Sequence, residues 1–190
     1  RKINFSLENI TKLSFTLKIR GYIALLKLRL SSLVVMSAFF GFLLADGNLT
    51  TYIFLNLILG GILITGSSNG FNQIIEHKTD ELMSRTFSRP LPSKVLSIPE
   101  ALIFCIITGV LGLYLLANIN FSSFILGLLA MVIYTIIYTP LKKITPFAVF
   151  VGAIPGSIPP LLGYVAVSND FGLEPGILFV VQFFWQFPHF

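Results

Sequence analysis

Three polar residues, Asn72, Glu76 and Asp80, recur at four-residue intervals in an otherwise apolar chain. On an α-helix a step of four residues advances by about 400°, so these side chains, here called the polar row, are predicted to lie along one helical face. Carboxylate and amide oxygens are ligands for Mg²⁺, which is often shared with substrate phosphates. The arginines that follow, Arg85 and Arg89, are suited to bind an anion. The pattern therefore predicts a site for a metal ion and a diphosphate.

The composition indicates that the polar row belongs to a membrane protein. Hydrophobic residues make up 55% and charged residues 11% of the 190-residue chain, and its mean hydropathy is +0.87. Six continuous apolar stretches approach the roughly 20 residues needed to cross a bilayer. They are residues 22–45, 50–72, 97–118, 121–139, 144–167 and 174–190, the last one incomplete. Barrel strands would alternate in polarity, so the sequence predicts an all-α, multi-span transmembrane helix bundle.

The distribution of basic residues predicts the orientation of the bundle. Lysine and arginine occur only within residues 1–29, within residues 78–94 and at Lys142 and Lys143. By the positive-inside rule, the N-terminus and the loops after the second and fourth spans face the cytoplasm or its topological equivalent, and the polar row opens to that side. This topology accounts for the net charge of +5, so no nucleic-acid partner is expected.

One transmembrane domain is predicted after a short basic segment. Residues 1–21 form that segment, at the cytoplasmic side or the membrane interface, and residues 22–190 form the domain. The connection from His77 to Pro99 directly follows the polar row, and it either closes over a bound anion or serves as a hydrophilic linker. The single cysteine, Cys105, lies in an apolar stretch and leaves no disulfide or cysteine metal site.

Four more residues are candidates for the site, namely Arg29, Tyr138, Lys142 and His189. For all of them except Tyr138, the position in the sequence can also be explained without a role in the site. Arg29 and Lys142 lie at the cytoplasmic ends of predicted spans, where a positive charge also acts as a topology signal. Pro140 breaks the helix between Tyr138 and Lys142, which would let both side chains point inward. His189 is either an interfacial polar residue or a group that exchanges a proton near the cavity.

Five sequence blocks together carry a family resemblance. They are the polar row, RTFSRPLP at 85–92, YTPLKK at 138–143, GAIPGSIPPLLGY at 152–164 and WQFPHF at 185–190. From about Arg29 to Phe190 the chain resembles the UbiA-type intramembrane prenyltransferases, and within them the protoheme IX farnesyltransferases, or haem O synthases. The resemblance implies that a farnesyl group passes from farnesyl diphosphate to a vinyl group of haem B, giving haem O and diphosphate, with Mg²⁺ as cofactor.

The resemblance also implies roles for individual residues. The implied catalytic set, in which the polar row binds the metal, is Asn72, Glu76, Asp80, Tyr138 and Lys142. The predicted substrate-binding set contains Arg29 and Arg85, which match positions of the family. It also contains Arg89 and His189, which are predicted from their residue types and positions alone. Glu76 departs from the aspartate of the family but keeps a carboxylate, and Lys78 stands where a further acid is common.

The same resemblance implies a nine-helix bundle in which a later helix supplies a second Asp-rich segment. We therefore expect the 190 residues to be a fragment, inactive as an isolated polypeptide. The expected location is a bacterial inner membrane, with the mitochondrial inner membrane as the alternative, and a membrane enzyme of the haem pathway is a candidate partner. Prenylation of a quinone precursor such as 4-hydroxybenzoate is the alternative function, and a transporter or channel subunit is a third hypothesis.

Overall fold

The computed structural model describes residues 7–189, with side chains described for residues 15–188, and the regular elements in this part of the chain are all helical. The first four helices are α1 (Leu7–Leu26), α2 (Leu28–Leu44), α3 (Tyr52–Glu81) and α4 (Ile98–Ala117). The later elements are α5 (Phe121–Val132), a π-helix (Ile133–Tyr138), α6 (Thr139–Leu141), α7 (Ala148–Ser168), α8 (Leu173–Gln186) and a final 3₁₀ turn (Phe187–His189). The predicted all-α class is confirmed.

Five stretches within the described residues are long and apolar enough to cross a membrane. They are Phe15–Leu44, Tyr52–Glu81, Ile98–Ala117, Phe121–Leu141 and Ala148–Ser168. The predicted sixth span, residues 174–190, corresponds instead to the 14-residue helix α8 and the 3₁₀ turn. At about 1.5 Å per residue α8 alone is roughly 21 Å long, shorter than a hydrocarbon core.

Helix α3 is longer than its apolar stretch because the polar row continues the same helix. Its 30 residues span about 45 Å, so the predicted connection begins at Leu82 and not at His77. Thr51 caps the first turn by accepting a hydrogen bond from the Phe54 amide. After the last turn, the Thr86 hydroxyl donates to the Asp80 carbonyl oxygen over 2.9 Å. The chain between Leu82 and Ser97 then folds as successive turns against the end of α3.

Glycines allow the helices of the bundle to pack backbone against backbone. A Cβ on Gly163 of α7 would overlap the carbonyl oxygen of Ala38 on α2, and a Cβ on Gly41 would overlap that of Pro160. These glycines therefore allow close packing between α2 and α7. The core beside this contact contains the fully buried side chains of Phe42 and Val165.

Candidate active site

The polar row lies along one face of α3, at the end that enters the following loop. Asn72 and Asp80 are buried, with 3% and 4% of their surface exposed, and Glu76 is partly buried. Buried polar groups of this kind require partners. The structure supplies those partners from two other parts of the chain.

Lys142 pairs with the middle of the polar row. Its Nζ lies 3.0 Å from Oε2 of Glu76. We assign the Asn72 amide in the orientation that forms two hydrogen bonds. Its nitrogen donates to the same Glu76 oxygen over 2.6 Å, and its oxygen accepts from Nζ of Lys142 over 3.2 Å. Nζ of Lys142 also lies 5.5 Å from the centroid of the Tyr138 ring. Of the predicted catalytic set, four side chains therefore meet in one place.

Arg89, from the loop after α3, pairs with the end of the polar row. Its guanidinium nitrogen NH1 lies 2.6 Å from Oδ2 of Asp80, and both side chains are largely shielded from solvent. Arg85, one turn earlier in the same loop, is exposed, as is Arg29 near the start of α2. Of the predicted substrate-binding arginines, the structure brings Arg89 alone into an ion pair with the row within the described residues. The side chain of His189 lies outside the described residues, so its role stays a prediction.

The π-helix contains two tyrosines and leads into the turn that carries Lys142. Helices of this kind are rare and occur often at functional sites. The hydroxyl of Thr139 donates to the carbonyl oxygen of Tyr134 over 2.8 Å, and Pro140, which has no amide hydrogen, follows directly. The rings of Tyr134 and Tyr138 lie 5.4 Å apart, and both line the cavity below the polar row.

A cavity of about 310 Å³ opens between α2, α3, α5, α7, α8 and the π-helix. Its lining is mostly apolar, and the polar side chains in it are Thr65, Ser68, Asn69, Tyr134, Tyr138 and Gln186. The three from α3 precede Asn72 on the same helix, so the cavity continues inward from the polar row. The site thus combines a charged mouth with an apolar chamber, as expected where one ligand has an ionic head and a hydrocarbon tail.

Two glycines of α7 shape this chamber. A Cβ on Gly152 would overlap the Tyr138 ring, and a Cβ on Gly156 would overlap the side-chain amide of Gln186. Gln186 is held there because its Nε2 donates to the carbonyl oxygen of Ala153 over 3.1 Å and lies 3.0 Å from Oγ of Ser157. These glycines therefore do more than pack helices, because they let two polar side chains reach the cavity wall.

Sequence reasoning missed three residues of this arrangement. Tyr134 stands four residues before Tyr138, and Gln186 lies within the WQFPHF block, so both carried a weak signal. Lys27 carried no such signal, because its place among the basic residues near the N-terminus is explained by membrane topology alone. In the structure it adopts a left-handed backbone conformation, with φ 46° and ψ 54°, between α1 and α2, and it interacts electrostatically with the charged side chains Glu76, Asp80, Arg89 and Lys142.

The donor set of the polar row fits Mg²⁺. Within residues 15–188 there is no cluster of three His, Cys, Asp or Glu side chains, so a cage made entirely of such residues is not formed by this part of the chain. Mg²⁺ does not need one, because it usually binds one or two carboxylates and takes its other ligands from water and substrate phosphates. Glu76 and Asp80 supply two carboxylates and Asn72 an amide oxygen, all of them hard ligands.

Comparison with known proteins identifies the family of the chain. The model of the UbiA prenyltransferase family matches residues 34–190. Over 173 residues the chain is 46% identical to the protoheme IX farnesyltransferase of Cytophaga hutchinsonii, and the match covers 90% of this chain and 60% of that protein. The chain therefore spans less than two thirds of the length of this relative.

Solved structures share the fold. A digeranylgeranylglyceryl phosphate synthase superposes with a TM-score of 0.77 at 23% sequence identity, over 87% of this chain and 58% of that one. A UbiA homologue from Archaeoglobus fulgidus bound to DMAPP and Mg²⁺ gives a TM-score of 0.67 at 20% identity, over 89% and 62% of the two chains. The resemblance read from the five sequence blocks is confirmed at the level of family and fold.

Proposed function

The chain belongs to the UbiA prenyltransferase family, and from this premise we propose that the protein which carries it transfers a farnesyl group from farnesyl diphosphate to a vinyl group of haem B. The products are haem O and diphosphate. Support for this donor and acceptor comes from the 46% identity to a protoheme IX farnesyltransferase. Support for the chemistry comes from a charged site at the mouth of an apolar cavity.

The ion pairs of the polar row suggest how the diphosphate is bound. Asn72, Glu76 and Asp80 would hold Mg²⁺, which when bound supplies positive charge beside the breaking C–O bond. With both carboxylates engaged in this way, Lys142 and Arg89 would be available to bind phosphate oxygens. These cations then stabilise the charge that develops on the departing diphosphate, the kind of electrostatic assistance that contributes most to many enzymatic reactions.

The two tyrosines border the place where an allylic cation would form. Their rings line the cavity next to Asn72 and Lys142, and the faces of aromatic rings attract cations. The surrounding apolar side chains exclude bulk water, which would otherwise capture the cation before the acceptor does. We assign Tyr134 and Tyr138 to this protective and stabilising role.

The exposed arginines are assigned a role in substrate capture. Arg29 and Arg85 stand at the same end of the bundle as the polar row, on segments adjacent to Lys27 and Arg89. Exposed positive charge raises the local concentration of an anionic ligand without needing a fixed geometry. We therefore propose that both attract the diphosphate to the mouth of the cavity.

The apolar helices and the family indicate an integral membrane protein. We propose that the polar row faces the cytoplasm of a bacterial cell, or the corresponding side of the mitochondrial inner membrane. The clustering of lysine and arginine on that side supports this orientation.

The observation that carries the proposal is the convergence of Lys142 and Arg89 on Glu76 and Asp80 above the apolar cavity. The complete open reading frame, purified in detergent, should convert haem B and farnesyl diphosphate to haem O when Mg²⁺ is added, measured by mass spectrometry. Chelation of divalent metal should stop the reaction. Formation of a prenylated aromatic acid from 4-hydroxybenzoate, with no haem product, would overturn the choice of acceptor in favour of the quinone precursor.

A further inference from the structure

Lys27 forms a break between α1 and α2. Its φ of 46° and ψ of 54° lie in the left-handed region, which a lysine rarely adopts. In a continuous helix the Leu30 amide would donate to the Leu26 carbonyl oxygen, but here it donates to that of Lys27 over 2.8 Å. Backbone of this kind persists only where its surroundings hold it, often at functional sites. The break therefore requires groups that stabilise it.

Two buried side chains stabilise the break by binding the carbonyl oxygens that precede it. The hydroxyl of Ser31, which is fully buried, donates to the Leu26 carbonyl oxygen over 2.8 Å. Nε2 of Gln73, a residue that is 1% exposed, donates to the Leu25 carbonyl oxygen over 3.1 Å. Gln73 directly follows Asn72 on α3. Its hydrogen bond therefore joins the break to the helix that carries the polar row.

Apolar contacts hold the chain beside this hydrogen bond. The side chain of Leu25 is fully buried in a cluster with Leu91 and Leu96, which belong to the loop after α3. The side chain of Leu26 packs so closely on α3 that a Cβ on Gly66 would overlap it. Close packing on both sides fixes the rotation of α1 against α3. The direction of the next residue, Lys27, is set in this way relative to the polar row.

Lys27 adds a positive charge that the polar row does not balance. It is partly buried, and it interacts electrostatically with the charged side chains Glu76, Asp80, Arg89 and Lys142. The two carboxylates are already paired with the other two cations, and Lys27 forms no ion pair within residues 15–188. One positive charge is therefore in excess among these five groups. Because a partly buried charge without a partner is costly, this excess favours an anionic ligand.

We propose that Gln73 is a positioning residue for diphosphate binding, an inference that rests on the proposed function. Its hydrogen bond to the Leu25 carbonyl oxygen holds the break between α1 and α2. The break in turn keeps Lys27 where its charge acts on the anion together with Lys142 and Arg89. The side chain of Gln73 is buried and is not among the residues that line the cavity. It therefore acts through Lys27 and not by contact with the diphosphate.

A double-mutant cycle on the complete protein tests this coupling. Gln73→Met keeps the length of the side chain but removes the donor, and Lys27→Met removes the charge. Binding of inorganic diphosphate with Mg²⁺, measured by calorimetry in detergent, should weaken by about fivefold in Gln73→Met and by about tenfold in Lys27→Met. The double variant should bind no more weakly than Lys27→Met alone, because Gln73 then has no charge to position.

Ser67→Ala is the matched control. Ser67 is also buried on α3 and also binds a carbonyl oxygen of a neighbouring helix, since its hydroxyl donates to that of Cys105 over 2.7 Å. That helix is α4 and not α1, so the substitution should leave diphosphate binding unchanged. Ser31→Ala, which removes the other donor at the break, replaces Gln73→Met in the cycle if thermal unfolding shows that the methionine variant does not fold.

The outcomes separate this proposal from the proposed function. If Gln73→Met weakens binding by the same factor with and without the Lys27 charge, its role is merely structural and the proposal is overturned. Unchanged binding in Gln73→Met would overturn it as well. Both results leave the farnesyl transfer standing when the unmodified protein forms haem O. Absence of haem O with the coupling intact would overturn the proposed function but not the role of Gln73 in binding the anion.

Discussion

The charged end of α3 and the cavity beneath it are held together by different interactions. At the charged end, Glu76 and Asp80 are bound by cations from the turn after α6 and from the loop after α3. In the cavity, the Tyr138 ring packs closely against Gly152 of α7. An ion pair can exchange its partner for a ligand while the helices stay in place, whereas close packing of a ring against a glycine depends on shape and leaves no room for an added carbon atom.

This difference means that diphosphate binding and the shape of the apolar chamber can be altered separately. Changes at the charged end should reduce the rate of prenyl transfer and its dependence on metal. Changes at the glycines should affect how the apolar substrates fit. Three substitutions, in order of decreasing expected effect, test whether the two regions are separable in this way.

Asp80→Asn should have the largest effect. It keeps the shape of the side chain but removes the charge that pairs with Arg89 and is proposed to bind metal. We expect Mg²⁺-dependent product formation to fall by about 1,000-fold, the upper range for loss of one electrostatic group, with normal membrane insertion. The matched control is Glu81→Gln, which removes a charge from the exposed next residue of α3 and should lower activity less than about twofold. Undiminished activity in the Asp80→Asn protein would show that Asp80 is not part of the site.

Lys142→Met should have an intermediate effect. The substitution keeps an unbranched apolar stem but removes the cation that contacts Glu76 and Asn72. We expect kcat/KM for farnesyl diphosphate to fall by about 100-fold, together with weaker binding of inorganic diphosphate in calorimetry. Lys143→Met removes the adjacent, exposed charge and tests the topology explanation. Equal losses in the two variants would show that the charge at Lys142 serves only orientation in the membrane.

Gly152→Ala should have the smallest effect of the three, and it should act on the cavity. The added Cβ would overlap the Tyr138 ring, and forcing one methyl group into a packed site costs about 1–3 kcal/mol. We expect KM for the apolar acceptor to rise by about tenfold, while diphosphate binding changes little. The control is Gly176→Ala in α8, where a Cβ meets nothing within 4 Å. A large loss of diphosphate binding in Gly152→Ala would contradict the separation of the two regions.

Much of the fold could be predicted because membrane spans are encoded locally. Continuous apolar runs of sufficient length predicted the helices, and the four-residue spacing predicted that the polar row shares one face of a helix. The end of that helix was placed too early, since polarity was taken as the limit of the span. Helical hydrogen bonds form between backbone groups and do not require apolar side chains, and in α3 the helix continues to Glu81.

The candidate site could be predicted only in part. Asn72, Glu76, Asp80, Tyr138 and Lys142 were recognised from their types and from their sequence blocks. Arg85 and Arg89 looked equivalent in sequence, yet the turns after α3 direct Arg89 to Asp80 and leave Arg85 exposed. Tyr134 and Gln186 were missed because their positions depend on a π-helix and on the glycines of a neighbouring helix.

The sequence by itself therefore determined the class of the protein, its apolar helices and the row of oxygen ligands, because hydrophobic length and helical periodicity act between near neighbours. Only the tertiary structure decided which cations meet that row. Lys142 reaches Glu76 across 66 positions of the chain. Lys27, at a left-handed break between two helices, interacts electrostatically with the same charged groups. The physical reason is that contacts between helices depend on how each helix is rotated and packed against its neighbours, which no local spacing specifies.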